Sequence, residues 1–301
     1  MTPGSSRGRG GSITAVAVAV AVVASALVSC TPVAREPAVP DPAAAGQPAG
    51  SAVVPAAPPV PVFPDESTTG VPDATVLRPI DSIRITEDGF VLDSVHVNGS
   101  ISVEADDVVI RRTRVDNNGL YAIRMGESHR NLLVEDSEID GNGEGAAAVC
   151  CSDFTLRRVD IHHVFEGPRV NGDVVIVDSY IHHLLRCEDC HIDALQTTAG
   201  SNIEITGNNL QAYNPETGDQ ANAAYQFGST QGAVDDVSVK GNLLNGGSYT
   251  VNGGGGGTSD SAVTFRDNRF GRDFRYGPVA NLGPQVEFDS SNVWHDTGEP
   301  L

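Results

Sequence analysis

The sequence predicts an all-β chain, a parallel β-helix (solenoid) of about nine coils. Three observations predict it. An apolar pattern recurs nine times, starting at Phe90, Val108, Leu132, Phe154, Val174, Ile203, Val237, Val263 and Val286, with starts 18 to 34 residues apart. Within each copy the apolar residues alternate with polar ones, which is the period of a strand. The intervals hold no apolar pattern of helical length. One short strand cannot bury its apolar face alone, so repeats of this kind stack.

The first 30 residues read as an export segment. Arg7 and Arg9 precede a Val/Ala run from Ile13 to Val28, which is too short and too poor in large apolar side chains for a membrane span. Leu27-Val28-Ser29-Cys30 resembles the bacterial lipobox, which implies residues 1–29 as signal peptide and Cys30 as a lipidated N-terminus. The protein is then exported and held on the outer face of the cell membrane by its lipid. Residues 30–79 are Pro/Ala-rich, and Pro55, Pro58, Pro59, Pro61 and Pro64 favour extended backbone, so this stretch reads as a semi-rigid spacer. Residues 80–301 are left as one β domain.

Charge narrows the partners. The formal net charge is −20, and Lys240 is the one lysine. No basic stripe exists to neutralise phosphates, so nucleic acid is excluded. A polyanionic glycan is disfavoured unless Ca²⁺ bridges the two negative surfaces, which makes Ca²⁺ a candidate cofactor and no cofactor a requirement. Cys150, Cys151, Cys187 and Cys190 form an even set in an exported domain and read as disulfide candidates that staple the long loops. Cys187 and Cys190 also have the spacing of half a zinc site, which Cys150 and Cys151 would have to complete.

In stacked strands, equivalent positions form rows about 4.8 Å apart. One predicted row runs through Asn98, Asp116, Asp140, His162, His182, Gln211 and Asn245. It places His162 over His182 and His163 over His183. Two stacked imidazole pairs beside Asp140 or Asp160 suit a transition metal, and equally suit solvated turn positions; the metal is left open. A second group of short strands covers Ala122–Met125, Ala147–Cys150, Ala194–Thr197, Ala223–Phe227 and Tyr249–Val251, and the loops before it vary most in length. Variable loops beside a rigid sheet are where function collects.

His191-Ile192-Asp193-Ala194-Leu195-Gln196 leads into this face. The repeat region resembles the pectin-lyase-like superfamily of right-handed parallel β-helices. The His191–Gln196 run, Asn222–Ala224 and Leu243–Val251 are similar to exported actinobacterial β-helix lipoproteins, a group without an established activity. The resemblance implies a right-handed coil and a polysaccharide as partner, bound along one coil face by a monomer and, if cleaved, cleaved as by a polysaccharide lyase or glycoside hydrolase. His191 and Asp193 are the candidate catalytic pair, with Asp193 as general acid or base. Arg124, Arg169, Gln196, Tyr225 and Tyr249 are the candidate substrate-binding residues, and Tyr121 and Gln226 suit sugar stacking and hydroxyl recognition. The polygalacturonase motifs are matched only at Asp193 and the small residue after it, and no second acid is visible for inverting hydrolysis. The alternative is a non-catalytic structural or adhesive surface protein whose loops contact another protein.

Overall fold

The computed structural model describes residues 61–187, 190–254 and 261–301. Every described residue belongs to the unit Pro59–Leu301. The export segment, Cys30 and the spacer as far as residue 60 lie outside the described residues. Packing begins upstream of residue 80. The Gly70 amide donates to Arg158 O at 3.0 Å, Asn209 Nδ2 donates to Pro64 O at 2.8 Å, and the first strand is Arg78–Ile85. Proline content marks this stretch as a spacer in sequence; its tertiary hydrogen bonds tie it to the sheet.

The described residues form strands and no helix. A nine-stranded sheet takes one strand from each of the nine repeats, from Val91–Asp93 to Glu287–Phe288, all paired in parallel between successive repeats. A second sheet takes the strand that follows in each repeat, among them Arg114–Asp116, Glu138–Asp140, Asp160–His162 and Tyr180–His182. A third column begins as an extension of the second sheet, where Tyr121–Met125 and Ala147–Cys150 continue from Val95–Val103, and goes on as a separate four-stranded sheet of Asp193–Thr197, Ala223–Phe227, Tyr249–Asn252 and Gly277–Ala280. Residues 166–170 join its two parts: the Arg169 amide donates to Val149 O and the Val170 amide to Gln196 O, both at 2.9 Å.

The register explains the core. In the second sheet Val97, Val115, Ile139, Ile161, Ile181, Leu210, Leu244 and Phe270 pair successively and are all buried. Each such side chain stabilises by about 1.5–3 kcal/mol on burial. The alternate positions face outward, so a polar row runs beside this apolar one.

The turn between the first and second sheets carries a feature that the apolar pattern does not reveal. Arg112, Asp136, Arg158 and Asp178 adopt left-handed backbone there. Directly after that position come Thr113, Ser137, Val159, Ser179, Asn208, Asn242, Asn268 and Asn292 in successive repeats, all buried and all but Val159 polar. Ser137 Oγ accepts from the Thr113 amide at 3.1 Å, and Asn208 Oδ1 accepts from the Ser179 amide at 2.9 Å. From Asn208 to Asn268 each amide side chain also donates to the next Asn Oδ1 and to a strand carbonyl, and Asn292 Nδ2 ends the row on Phe265 O and Asp289 O. The turn's buried donors are thereby satisfied one repeat at a time.

Candidate functional site

The third column begins its C-terminal part at Asp193, and the chain reaches it through Cys187, Cys190 and His191. Asp193 is wholly buried, whereas His191 is 58% exposed at its side chain. His191 Nδ1 lies 2.7 Å from Asp193 Oδ2, and Gln196 Nε2 donates to the same oxygen at 3.3 Å. Asp193 Oδ1 is buried without a hydrogen-bond partner. Burial raises the Asp193 pKa against the opposing His191 contact; the same contact raises that of His191. The pair therefore holds its Nδ1 side fixed and leaves Nε2 on the exposed edge of the ring.

A second buried acid stands one repeat earlier. Glu166 Oε2 accepts from Arg169 Nη2 at 2.7 Å and Nε at 3.1 Å, while Oε1 is buried and unpartnered. Burial raises its pKa, the Arg169 pairing lowers it, and the Asp193 charge raises it further. The Gly167 amide donates to Asp193 O at 2.9 Å, and a Cβ at Gly167 would lie 1.9 Å from Ala194 O, so only glycine permits this approach of the two backbones. The sequence gives little sign of Glu166. It precedes Gly167-Pro168, outside any strand pattern, and its partner Arg169 was the visible residue.

From His191 a cleft of about 360 Å³ runs over the column, with Gln196, Gln226, Asn252 and Asn281 in its wall. Gln196 pairs with Gln226 and Gln226 with Asn252 in the parallel register, so three side-chain amides stack along the column. Asn281 Nδ2 donates to Asn252 Oδ1 at 2.8 Å, and Gln226 Nε2 donates to Gly254 O at 2.8 Å. Gln226 Oε1 is buried without a partner. Among the described residues lining this cleft there is no carboxylate.

The other expected residues divide. Arg169 is one-third exposed beside Gln196, with the Tyr121 hydroxyl also near it. Tyr249 is half-buried and packs on the exposed Tyr276, ring centres 5.6 Å apart. Arg124 lies away from His191, in a separate hollow with Tyr121, Glu127 and the Cys150–Cys151 pair. Tyr225 is a correction. It is fully buried, pairs in register with Leu195 and Val251, and bonds Thr197 Oγ1 at 3.0 Å, so it belongs to the core and cannot stack on a sugar. Burial also holds its hydroxyl well above the ordinary tyrosine pKa. Lys240 stands in the nine-stranded sheet between Thr206 and Arg266, away from Asp193's column.

Cysteine pairing is local. Cys150 bonds to Cys151 and Cys187 to Cys190. Neither bond joins two distant loops, which corrects the expected stapling. Loops this short give an entropic stabilisation of about 1–2 kcal/mol, below the usual range. No protein-family model, curated protein or solved structure matches this chain.

Proposed function

We propose that this protein is an exported, lipid-anchored right-handed parallel β-helix of about nine coils whose third column binds a polysaccharide. The observation that carries the reading is the in-register stack of Gln196, Gln226 and Asn252 leading away from His191. Primary amides offer donors and acceptors together, as sugar hydroxyls require, and Gln196 and Asn252 are the part-exposed members of the stack, with Gln226 buried between them. Their spacing of about 4.8 Å, the inter-strand repeat, suits a linear glycan lying along the column.

The chemistry at the head of the cleft favours elimination over hydrolysis. Inverting hydrolysis needs two carboxyl groups that flank the bond. Asp193 and Glu166 are both buried, Glu166 paired with the Arg169 guanidinium and Asp193 hydrogen-bonded to the His191 ring. Elimination beside a uronate carboxyl needs one reachable base and one cation. His191 Nε2 takes the proton from the carbon beside the carboxyl, Arg169 pairs with that carboxylate, the freed electron pair forms a C=C bond to the neighbouring carbon as its glycosidic C–O bond breaks, the leaving oxygen takes a proton from solvent, and His191 returns its proton to solvent. Asp193 is a positioning residue here, which exchanges the roles expected from the sequence. The chain's net charge of −20 does not oppose a uronate at this cleft, because its described lining is free of carboxylates and exposed charges further away are screened beyond about 8–10 Å.

The test is a screen of the purified domain against an array of uronate-containing and neutral glycans, followed by assay for unsaturated and reducing ends. Binding with release of unsaturated ends, lost in His191→Ala, is expected. Binding without cleavage favours the non-catalytic surface protein. No binding to any glycan removes the reading.

A further inference from the structure

The second sheet carries a different constellation, two repeats wide. His162 pairs in register with His182, as their spacing implies, and their rings lie 5.4 Å apart. Each is followed by a second histidine, His163 or His183, with φ of 52° and 47°. Consecutive side chains of a strand point to opposite faces. The left-handed backbone turns the second ring back to the side of the first, so the two rings of each pair converge.

They converge through their Nδ1 atoms. His162 Nδ1 lies 2.9 Å from His163 Nδ1, and the His182 and His183 Nδ1 atoms are also in contact. The outer nitrogens of the two strand histidines are engaged elsewhere. His162 Nε2 lies 3.2 Å from Glu138 Oε1, and His182 Nε2 lies 2.7 Å from Asp160 Oδ1. A carboxylate on Nε2 fixes the proton there and leaves Nδ1 as a free lone pair, which is how metal-binding histidines are held. A third donor stands at each pair. Asp140 joins His162 and His163, Glu66 joins His182 and His183, and within each trio the ligand atoms all lie within 4.8 Å of one another.

We propose that these two His-His-carboxylate trios bind a pair of divalent first-row transition cations, one per trio, with Zn²⁺ the ion best suited. Imidazole nitrogens with a carboxylate select such ions over Ca²⁺ or Mg²⁺, which take oxygen ligands. Tetrahedral Zn²⁺ with Zn–N of about 2.0–2.1 Å spans nitrogens about 3.3 Å apart, so the His162 and His163 rings need to part by a few tenths of an ångström. Glu138, Asp160, Asp140 and Glu66 supply negative charge for both ions. The three protein ligands of each trio leave a fourth position facing a cleft of about 370 Å³. The N-terminal segment builds one wall of it. The Gly70 amide is held by Arg158 O, and a Cβ on Gly70 would lie 3.2 Å from Asp160 Cβ, so this turn brings Glu66 over the second pair. A single neutral His–His hydrogen bond per pair is the competing account of the same contacts.

Calorimetric titration of the untagged chain with Zn²⁺ separates the two. Two equivalents are expected for the wild type. The double variant His163→Asn, His183→Asn should bind none; asparagine tolerates left-handed backbone, so the fold is retained. His191→Ala should still bind two. As a readout independent of stoichiometry, Zn²⁺ should raise the melting temperature of the wild type and leave that of the double variant unchanged. No binding by the wild type, or equal binding by the double variant, overturns the site. A single equivalent overturns the pairing.

Discussion

His191 and Asp193 share one short contact, 2.7 Å from Nδ1 to Oδ2, across the boundary between solvent and core. The alternation of a strand start separates them by one residue. A buried carboxylate behind an exposed imidazole is an arrangement that fixes the ring and raises its basicity. That division of labour sets the first predictions.

His191→Ala should reduce glycan cleavage by about 10²-fold or more, the range for loss of a general base, and leave binding intact. Asp193→Asn should reduce turnover less than His191→Ala does, since the base itself remains. Equal loss in both variants, with unchanged binding, would return the proton-transfer role to Asp193.

The pH profile gives an independent check. Contact with Asp193 raises the His191 pKa above its ordinary 6.5. The reactive form is the neutral ring, so activity should rise with pH through a midpoint above 6.5 in the wild type. Asp193→Asn removes the raising charge, and the midpoint should move down. For stability the sign is opposite. A raised His pKa contributes stability below its unfolded value, and that contribution is lost as pH rises through the folded value. A melting-temperature series should therefore show Asp193→Asn losing this increment at low pH. An acid limb that stays fixed in Asp193→Asn would exclude His191 as the titrating base.

Much of the fold is legible in the sequence. The nine apolar repeats anticipate one strand each in the nine-stranded sheet, because spacing and alternation report burial directly. The His162–His182 register follows from two Ile-His-His runs at a fixed interval. Tyr225 sits in the core instead of on the cleft because Ala223–Phe227 is buried at every position, so alternation there carries no information about facing. Its register with Leu195 and Val251 was the usable signal. Glu166 and the asparagine row escaped because both lie in turns, where pairing depends on the next repeat rather than on local pattern.

The proposed export and anchoring rest on Leu27–Cys30, and the expected outcome is simple. Cys30→Ser should release the protein into the medium or leave the precursor uncleaved, as followed by fractionation and blotting. An unchanged membrane fraction would defeat the lipid anchor.

Asn242 tests what holds the repeats in register. Its side chain is fully buried. Nδ2 donates to Ile205 O at 2.9 Å and to Asn268 Oδ1 at 3.0 Å, and Oδ1 accepts from the Asn208 amide at 2.8 Å and from Asn208 Nδ2 at 3.0 Å. Asn242→Ala leaves those partners buried and unpaired. Each such group costs about 1–3 kcal/mol, so the variant should lose roughly 2–4 kcal/mol after partial relaxation. Asn242→Asp keeps the shape and the acceptor but removes the donor and brings a charge against Ile205 O and Asn268 Oδ1. It should be at least as destabilising near neutral pH, and should recover part of the loss on acidification, when the carboxyl regains a proton to donate. Denaturant melts of the two variants at neutral and acidic pH measure both effects. If Asn242→Ala unfolds with wild-type stability, the asparagine row fills space without holding the turn.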